Sequence, residues 1–159
     1  MECVLDDSYI IAEMACSHDG SVNLGKVIID AASNSGADAV QFQIWDVHDV
    51  VVPDHKDVEI MKSVQLSKEE WIELFEYSRS LSKPLDVISC VYDLNAARFA
   101  LENGTNAFKV HTADLSNHDF LFELAAFGLR IDLSVGASSL VEIQEAIQVI
   151  EAAGNSNIW

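Results

Sequence analysis

The sequence is poor in basic residues: 9 lysines and arginines stand against 26 aspartates and glutamates, giving a formal net charge of −17 and a pI near 4.3. That balance excludes the basic footprint needed to bind nucleic acid or an anionic membrane. It also offers no long-range attraction to an anionic small molecule, which a few local donors must then hold. Cysteine is scarce as well. Cys3, Cys16 and Cys90 have no Cys-x-x-Cys spacing and are too few for a disulfide framework, which points to a reduced, cytoplasmic setting. No apolar run approaches the ~18 residues of a membrane span, and the N-terminal MECVLDDSYII is acidic where a secretory leader is basic. Low-complexity segments, linkers and charge blocks are also missing, so residues 1–159 read as one soluble domain with no second one.

What is present is an alternation of short apolar runs and amphipathic segments. Tyr9 to Ala15 (YIIAEMA) reads as a parallel strand covered on both faces and broken by Glu13. After SHDGS, the apolar positions Leu24, Val27, Ile28, Ala31 and Ala32 predict a helix closing at Gly36. The next strand, ADAVQFQIW, sets Gln41 and Gln43 on the face opposite Val40, Phe42 and Ile44. Asp46 to Leu66 is the one connection long enough for a substrate-covering loop or a short excursion. Ser67 and Glu70 form a capping box for a helix burying Trp71, Leu74 and Phe75, and Pro84 opens the strand PLDVISC. A helix from Asp93 to Gly104 leads into the strand of AFKVHTADLSN, and Asn117 is a candidate cap for HDFLFELAAF. RIDLSVG then precedes a helix capped by Ser139 and Glu142, and NIW begins a sixth strand.

This βα alternation implies a parallel sheet, and MACSHDGS lacks the Gly-x-Gly-x-x-Gly turn of an open dinucleotide-binding sheet. The expected fold is therefore an α/β parallel (β/α)8 TIM-type barrel, incomplete here. About five units and the start of strand six are present, against eight strands and ~250 residues in a whole barrel. The chain thus reads as part of a longer protein, or as one that needs a partner to close it.

Chemistry in a barrel gathers at the strands' carboxyl ends. That places Glu13, Cys16 and His18 after strand one, Gln41 and Gln43 on strand two, and Ser89 and Cys90 on strand three. Lys109, His111, Thr112 and Asp114 follow on strand four and Ser134 on strand five. An ammonium in a strand interior needs an anionic partner, because burying an unpaired charge costs several kcal/mol. Asp114 or Glu13 can serve Lys109, or a ligand can. One cation among amide and hydroxyl donors and two carboxylates suits a small phosphorylated or carboxylated metabolite. Cys16, His18, Cys90 and His111 include soft-metal ligand types, although no local motif fixes them as a zinc site. His48, His55 and His118 fall in loops or at a helix start and are expected to be solvated.

In order and spacing, IIAEMACSHDG, GADAVQFQ, ISCVYD, AFKVHTADLSN and DLSVGAS resemble motifs of the sialic acid synthase family, covering nearly the whole chain from Tyr9. The family comprises the N-acetylneuraminate, legionaminate and pseudaminate synthases, which condense phosphoenolpyruvate with an open-chain N-acyl sugar aldehyde. The resemblance implies that Lys109, Thr112 and Ser134 hold the phosphate and carboxylate of phosphoenolpyruvate. Glu13 would contact the sugar and Asp114 would stand near the reacting centre, while Gln41, Gln43, Cys90 and His18, placed by the strand ends, are further candidates to line the substrate site. It also implies a divalent metal, manganese or magnesium, whose ligands lie outside this chain, and a homodimer of the full-length protein. The chain departs from the family's pattern where Gln41 replaces a lysine, Cys90 a threonine, Thr112 a serine and Asp114 a glutamate. The segment alone is expected to be inactive. A competing expectation is a sugar-binding or regulatory barrel that has lost phosphoenolpyruvate chemistry, favoured by Gln41 and Cys90.

Overall fold

The computed structural model describes residues 8–159, and Cys3 lies outside the described residues. Strands β1 (Ile11–Glu13), β2 (Ala39–Ile44), β3 (Asp86–Val91), β4 (Ala107–Val110) and β5 (Arg130–Leu133) lie side by side in chain order, all parallel. Strand order never reverses, so the sheet has no switch point of the kind that defines a doubly wound fold. It is an arc of a TIM-type barrel. The sixth strand begins as expected: Ile158 bridges Ile131 in parallel, and the Leu133 amide donates to the Trp159 carbonyl at 2.8 Å.

Helices α1 (Val22–Asn34), α2 (Val47–Val50), α3 (Val58–Val64), α4 (Lys68–Ser80), α5 (Leu94–Glu102), α6 (His118–Ala125) and α7 (Leu140–Ala152) occupy the connections. Their starts are written locally. Both capping boxes form, Ser67 with Glu70 and Ser139 with Glu142, and the Asp93 and Asn117 side chains accept from the first-turn amides of α5 and α6. Gly36, Gly104, Gly128 and Gly154 all take the left-handed conformation where helices end.

Alternate strand residues divide between two faces. Val40, Phe42, Ile44, Val87, Val91, Phe108, Val110 and Ile131 join the helices' apolar side chains in one core. Ala39, Ile88 and Ala107 form a separate small cluster on the other face, with Tyr9 and Ile11 against it. This second face is the barrel interior, and its apolar layer is a floor beneath the polar residues nearer the carboxyl ends.

Two expectations change, and a third is decided between its two alternatives. The first strand is three residues long and half-exposed, because it has a neighbour on one side only among the described residues. The buried positions of α1 are Gly25, Ile29 and Ala32, while Leu24 and Val27 are 39% and 60% exposed. Gly25 explains the rotation: a Cβ there would sit 3.0 Å from Leu74 Cδ2, so its absence lets α4 pack directly on this face. The long polar connection is a helical excursion carrying α2 and α3.

Candidate functional site

The site is built by β-strand alternation and register. Glu13 lies beside Gln41, Gln43 beside Cys90, Cys90 beside Lys109 and Lys109 beside Asp132, all on the interior face. Lys109 does meet a carboxylate: its Nζ stands 3.8 Å from Glu13 Oε2. That separation exceeds the ~2.7–2.9 Å of a charge-assisted hydrogen bond, so the ammonium keeps donor capacity for a ligand. Glu13 is held from the other side by Gln43, whose Nε2 donates to Oε1 at 3.0 Å. Deeper in the face Gln41 is 3% exposed, and its Nε2 has no hydrogen-bond partner among the described residues. A buried amide donor left unmade costs about 1–3 kcal/mol, which marks this spot as one where a ligand oxygen or ordered water belongs.

Strand β4 leads directly into a 3₁₀ turn, Thr112–Asp114, whose start is fixed by the Ala113 amide donating to His111 Nδ1 at 3.3 Å. The turn brings Thr112 beside the β5–α7 loop, where a Cβ on Gly136 would lie 3.8 Å from Thr112 Oγ1. Burial raises the Asp114 carboxyl above the usual range, with His111 pulling the other way. Ser134 continues the inward series of Arg130 and Asp132, and its amide donates to the Val110 carbonyl at 3.1 Å. Cys90 is buried, and burial pushes its thiol up to about 11 despite the neighbouring Tyr92 hydroxyl and Lys109 ammonium. It therefore stands in the face as a neutral thiol.

Beside this cluster opens a cavity of about 230 Å³ lined by Cys16, Gln43, Trp45, Val50, Met61, Tyr92 and His111. Gln43 is common to the cavity and the Glu13–Lys109 group. Val50 and Met61 come from α2 and α3, so the helical excursion supplies one wall. Sequence reasoning did not single out Trp45, Tyr92, Val50 or Met61. The usable signal was that Trp45 and Tyr92 are the first residues past β2 and β3. The Arg130–Asp132 pair was missed too: Arg130 Nε and Nη2 donate to the Asp132 carboxylate at 2.8 and 3.0 Å, and the guanidinium lies over the Tyr9 and Trp159 rings. Period-two alternation through RIDLS would have placed both on the face with Ser134.

Some sequence candidates do not reach the site. His18 is 1% exposed, accepts from the Gly20 amide at 3.2 Å through Nδ1, and packs edge-on against Trp71 of α4. Burial lowers its pKa, so it is a neutral structural histidine. Ser89 points to the helix side and pairs with Thr105 at 2.9 Å. The zinc reading of Cys16, His18, Cys90 and His111 is overturned by the same geometry: among the described residues no three His, Cys, Asp or Glu side chains cluster to hold a metal. His48, His55 and His118 are exposed.

Fold and geometry together define part of a TIM-type barrel with a cavity at the strand carboxyl ends. The chain belongs to the NeuB family, whose model matches residues 28–159. It is 33% identical over 153 residues to an uncharacterised protein of Methanocaldococcus jannaschii, covering 96% of this chain and 45% of that protein. It is 27% identical to the N,N'-diacetyllegionaminic acid synthase of Campylobacter jejuni, covering 89% of this chain and 46% of that enzyme. In three dimensions it matches the N-acetylneuraminic acid synthetase of Leptospira borgpetersenii, solved with citrate, at a TM-score of 0.89 and 26% identity, covering 96% of this chain and 53% of that one. The chain thus spans about half the length of these relatives.

Proposed function

We propose that the protein carrying this chain condenses phosphoenolpyruvate with an open-chain N-acyl sugar aldehyde, such as N-acetylmannosamine, to give a sialic-acid-like nonulosonate and inorganic phosphate. The observation that carries this reading is the Lys109 ammonium, set on the interior face 3.8 Å from Glu13 without a hydrogen bond to it. Lys109, Thr112 and Ser134 are assigned to the phosphate and carboxylate, with the buried Gln41 amide as a further donor to an anionic oxygen. Glu13, oriented by Gln43, is assigned to the sugar. In the reaction, carbon three of the enol pyruvate bonds to the aldehyde carbon, whose oxygen becomes a hydroxyl. Water adds to carbon two, and the C–O bond to phosphate breaks. Asp114, its carboxyl raised by burial, is assigned to proton transfer beside the reacting centre. A divalent metal belongs to this reading, manganese or magnesium, but the described residues offer no cluster of three ligands for it.

A second reading, a barrel that binds sugar without phosphoenolpyruvate chemistry, draws support from charge. Lys109 shares the face with Glu13 and Asp114, while Gln41 and the thiol of Cys90 add no positive charge. Calorimetric titration of the full-length protein separates the two. Under the synthase reading phosphoenolpyruvate binds, and Lys109→Ala weakens it by at least tenfold, the loss of a charged hydrogen bond worth about 1.5–3 kcal/mol. Absence of phosphoenolpyruvate binding, with or without manganese, leaves the second reading in possession.

A further inference from the structure

We propose that Arg130 is a positioning residue for the anion site: it holds Asp132 toward the barrel floor, so that this carboxylate does not neutralise Lys109. The proposal deepens the synthase reading and rests on it for the identity of the anion. Lys109 and Asp132 are partners in register on the neighbouring strands β4 and β5, both on the interior face. Opposite charges set side by side on one sheet face ordinarily pair with each other. Here they do not. Among the described residues the cation within ion-pair distance of Asp132 is Arg130, and the carboxylate within that distance of Lys109 is Glu13, at 3.8 Å. The reason lies two residues back on β5, where period-two alternation puts Arg130 on the same face, nearer the floor. Its Nε and Nη2 donate to the two oxygens of Asp132 at 2.8 and 3.0 Å, a fork that a lysine cannot form. The guanidinium is itself fixed, 3.9 Å from the centre of the Trp159 ring and 5.1 Å from that of Tyr9, and the two rings meet edge to face. The Tyr9 hydroxyl in turn donates to Asp86 at 2.6 Å. The Arg130 and Asp132 side chains are only 13% and 15% exposed, so an Asp132 deprived of Arg130 must find another cation. Lys109, its partner in register, is the one at hand. The ammonium would then be paired on two sides, by Asp132 and Glu13, and would no longer be the free donor that a phosphate or carboxylate needs.

The test compares the full-length parent with Arg130→Met and with the double variant Arg130→Met/Asp132→Asn. One readout is calorimetric binding of phosphoenolpyruvate and of inorganic phosphate. The other is the rate at which acetic anhydride acetylates Lys109, followed by mass spectrometry of its peptide; the reagent needs the free amine, which an ion pair makes scarcer. Arg130→Met should weaken both anions roughly tenfold, the scale of one charge-assisted hydrogen bond, and should slow the acetylation of Lys109. The double variant should restore both, because a neutral amide does not compete for the ammonium. A role in stability alone gives the opposite sign in the second readout, since a loosened fold exposes Lys109 and speeds its acetylation. Arg130→Lys keeps the charge without the fork and should show the same changes in smaller measure, which carries the test if Arg130→Met does not fold. Unchanged affinity on loss of Arg130, faster acetylation of Lys109, weak binding that Asp132→Asn does not restore, or a parent that binds neither anion would each overturn the proposal. Phosphate binding that falls and returns as described, without turnover of phosphoenolpyruvate, would keep it while sinking the synthase reading. Turnover by the parent, with affinity and acetylation indifferent to Arg130→Met, would do the reverse.

Discussion

At the scale of single residues, buried polar groups carry the information. Gln41 is buried yet donates to none of the described residues, a state that lowers stability unless a ligand or water repairs it. Gln41→Leu, similar in size, is therefore expected to leave the denaturation midpoint unchanged or raise it by up to ~1 kcal/mol of stability, while weakening phosphoenolpyruvate severalfold. A large loss of stability would show the amide to be satisfied within the fold. His18 makes the opposite case. Its pKa is lowered in the folded state by burial, against the ordinary imidazole value near 6.5. Its contribution is thus complete above that value and falls as the pH drops, because the unfolded chain takes up a proton that the folded one resists. Urea titrations at pH 7.5 and 5.5 should show the native protein losing more stability than His18→Asn, by at most about 1.4 kcal/mol per pH unit. Asp114 works in the other direction. With a raised folded pKa, it binds its proton more readily when folded and favours the fold as the pH falls toward the carboxylate range.

Among the elements, the β2–α4 excursion and the β1–α1 turn depend on each other. Gly20 takes a φ of +70°, and a Cβ there would overlap the Ser63 carbonyl oxygen near the end of α3. Gly20→Ala accordingly faces both a left-handed backbone and a collision with main chain. A loss of about 2 kcal/mol or more is expected, read as a lower thermal midpoint. A Gly20→Ala variant as stable as the parent would mean that this turn and α3 are not packed as described. The strand ends follow related physics. Ala15 and Ala137 both adopt positive φ in the turns after β1 and β5, a conformation that costs a non-glycine residue about 1–2 kcal/mol. Both flank the carboxyl-end face where the candidate ligands gather.

Taken whole, the molecule is an arc whose interior is divided between an apolar floor of Ala39, Ile88 and Ala107 and a polar upper layer. β1 has an unpaired outer edge among the described residues, and Leu24, Val27, Leu140 and Val141 expose apolar side chains. Open strand edges and exposed apolar helix faces are association surfaces. Residues 1–159 produced alone should bind a hydrophobic dye and run above monomer mass in light scattering, whereas the full-length protein should bind less dye per mole. A monodisperse, dye-free species from residues 1–159 would contradict this account of the open edge. Among the described residues no helix is long and apolar enough to cross a membrane.

The sequence by itself determined the element types, their order and most of their ends. Helix and strand periodicity, capping boxes at Ser67 and Ser139, and glycine stops are interactions among near neighbours in the chain. It also carried the family motifs, and with them the interior placement of Lys109, Gln41 and Gln43. Tertiary structure alone decided which polar side chains meet. Lys109 approaches Glu13 rather than Asp114 because parallel register and barrel curvature bring β4 opposite β1. His18, adjacent in sequence to site residues, turns away to cap its own loop against Trp71. The burial face of α1 was likewise settled by Gly25 meeting Leu74, a contact between distant segments that no periodicity within the helix could specify. Local physics fixes what each segment becomes; which of their side chains share a pocket is set by contacts between segments far apart in the chain.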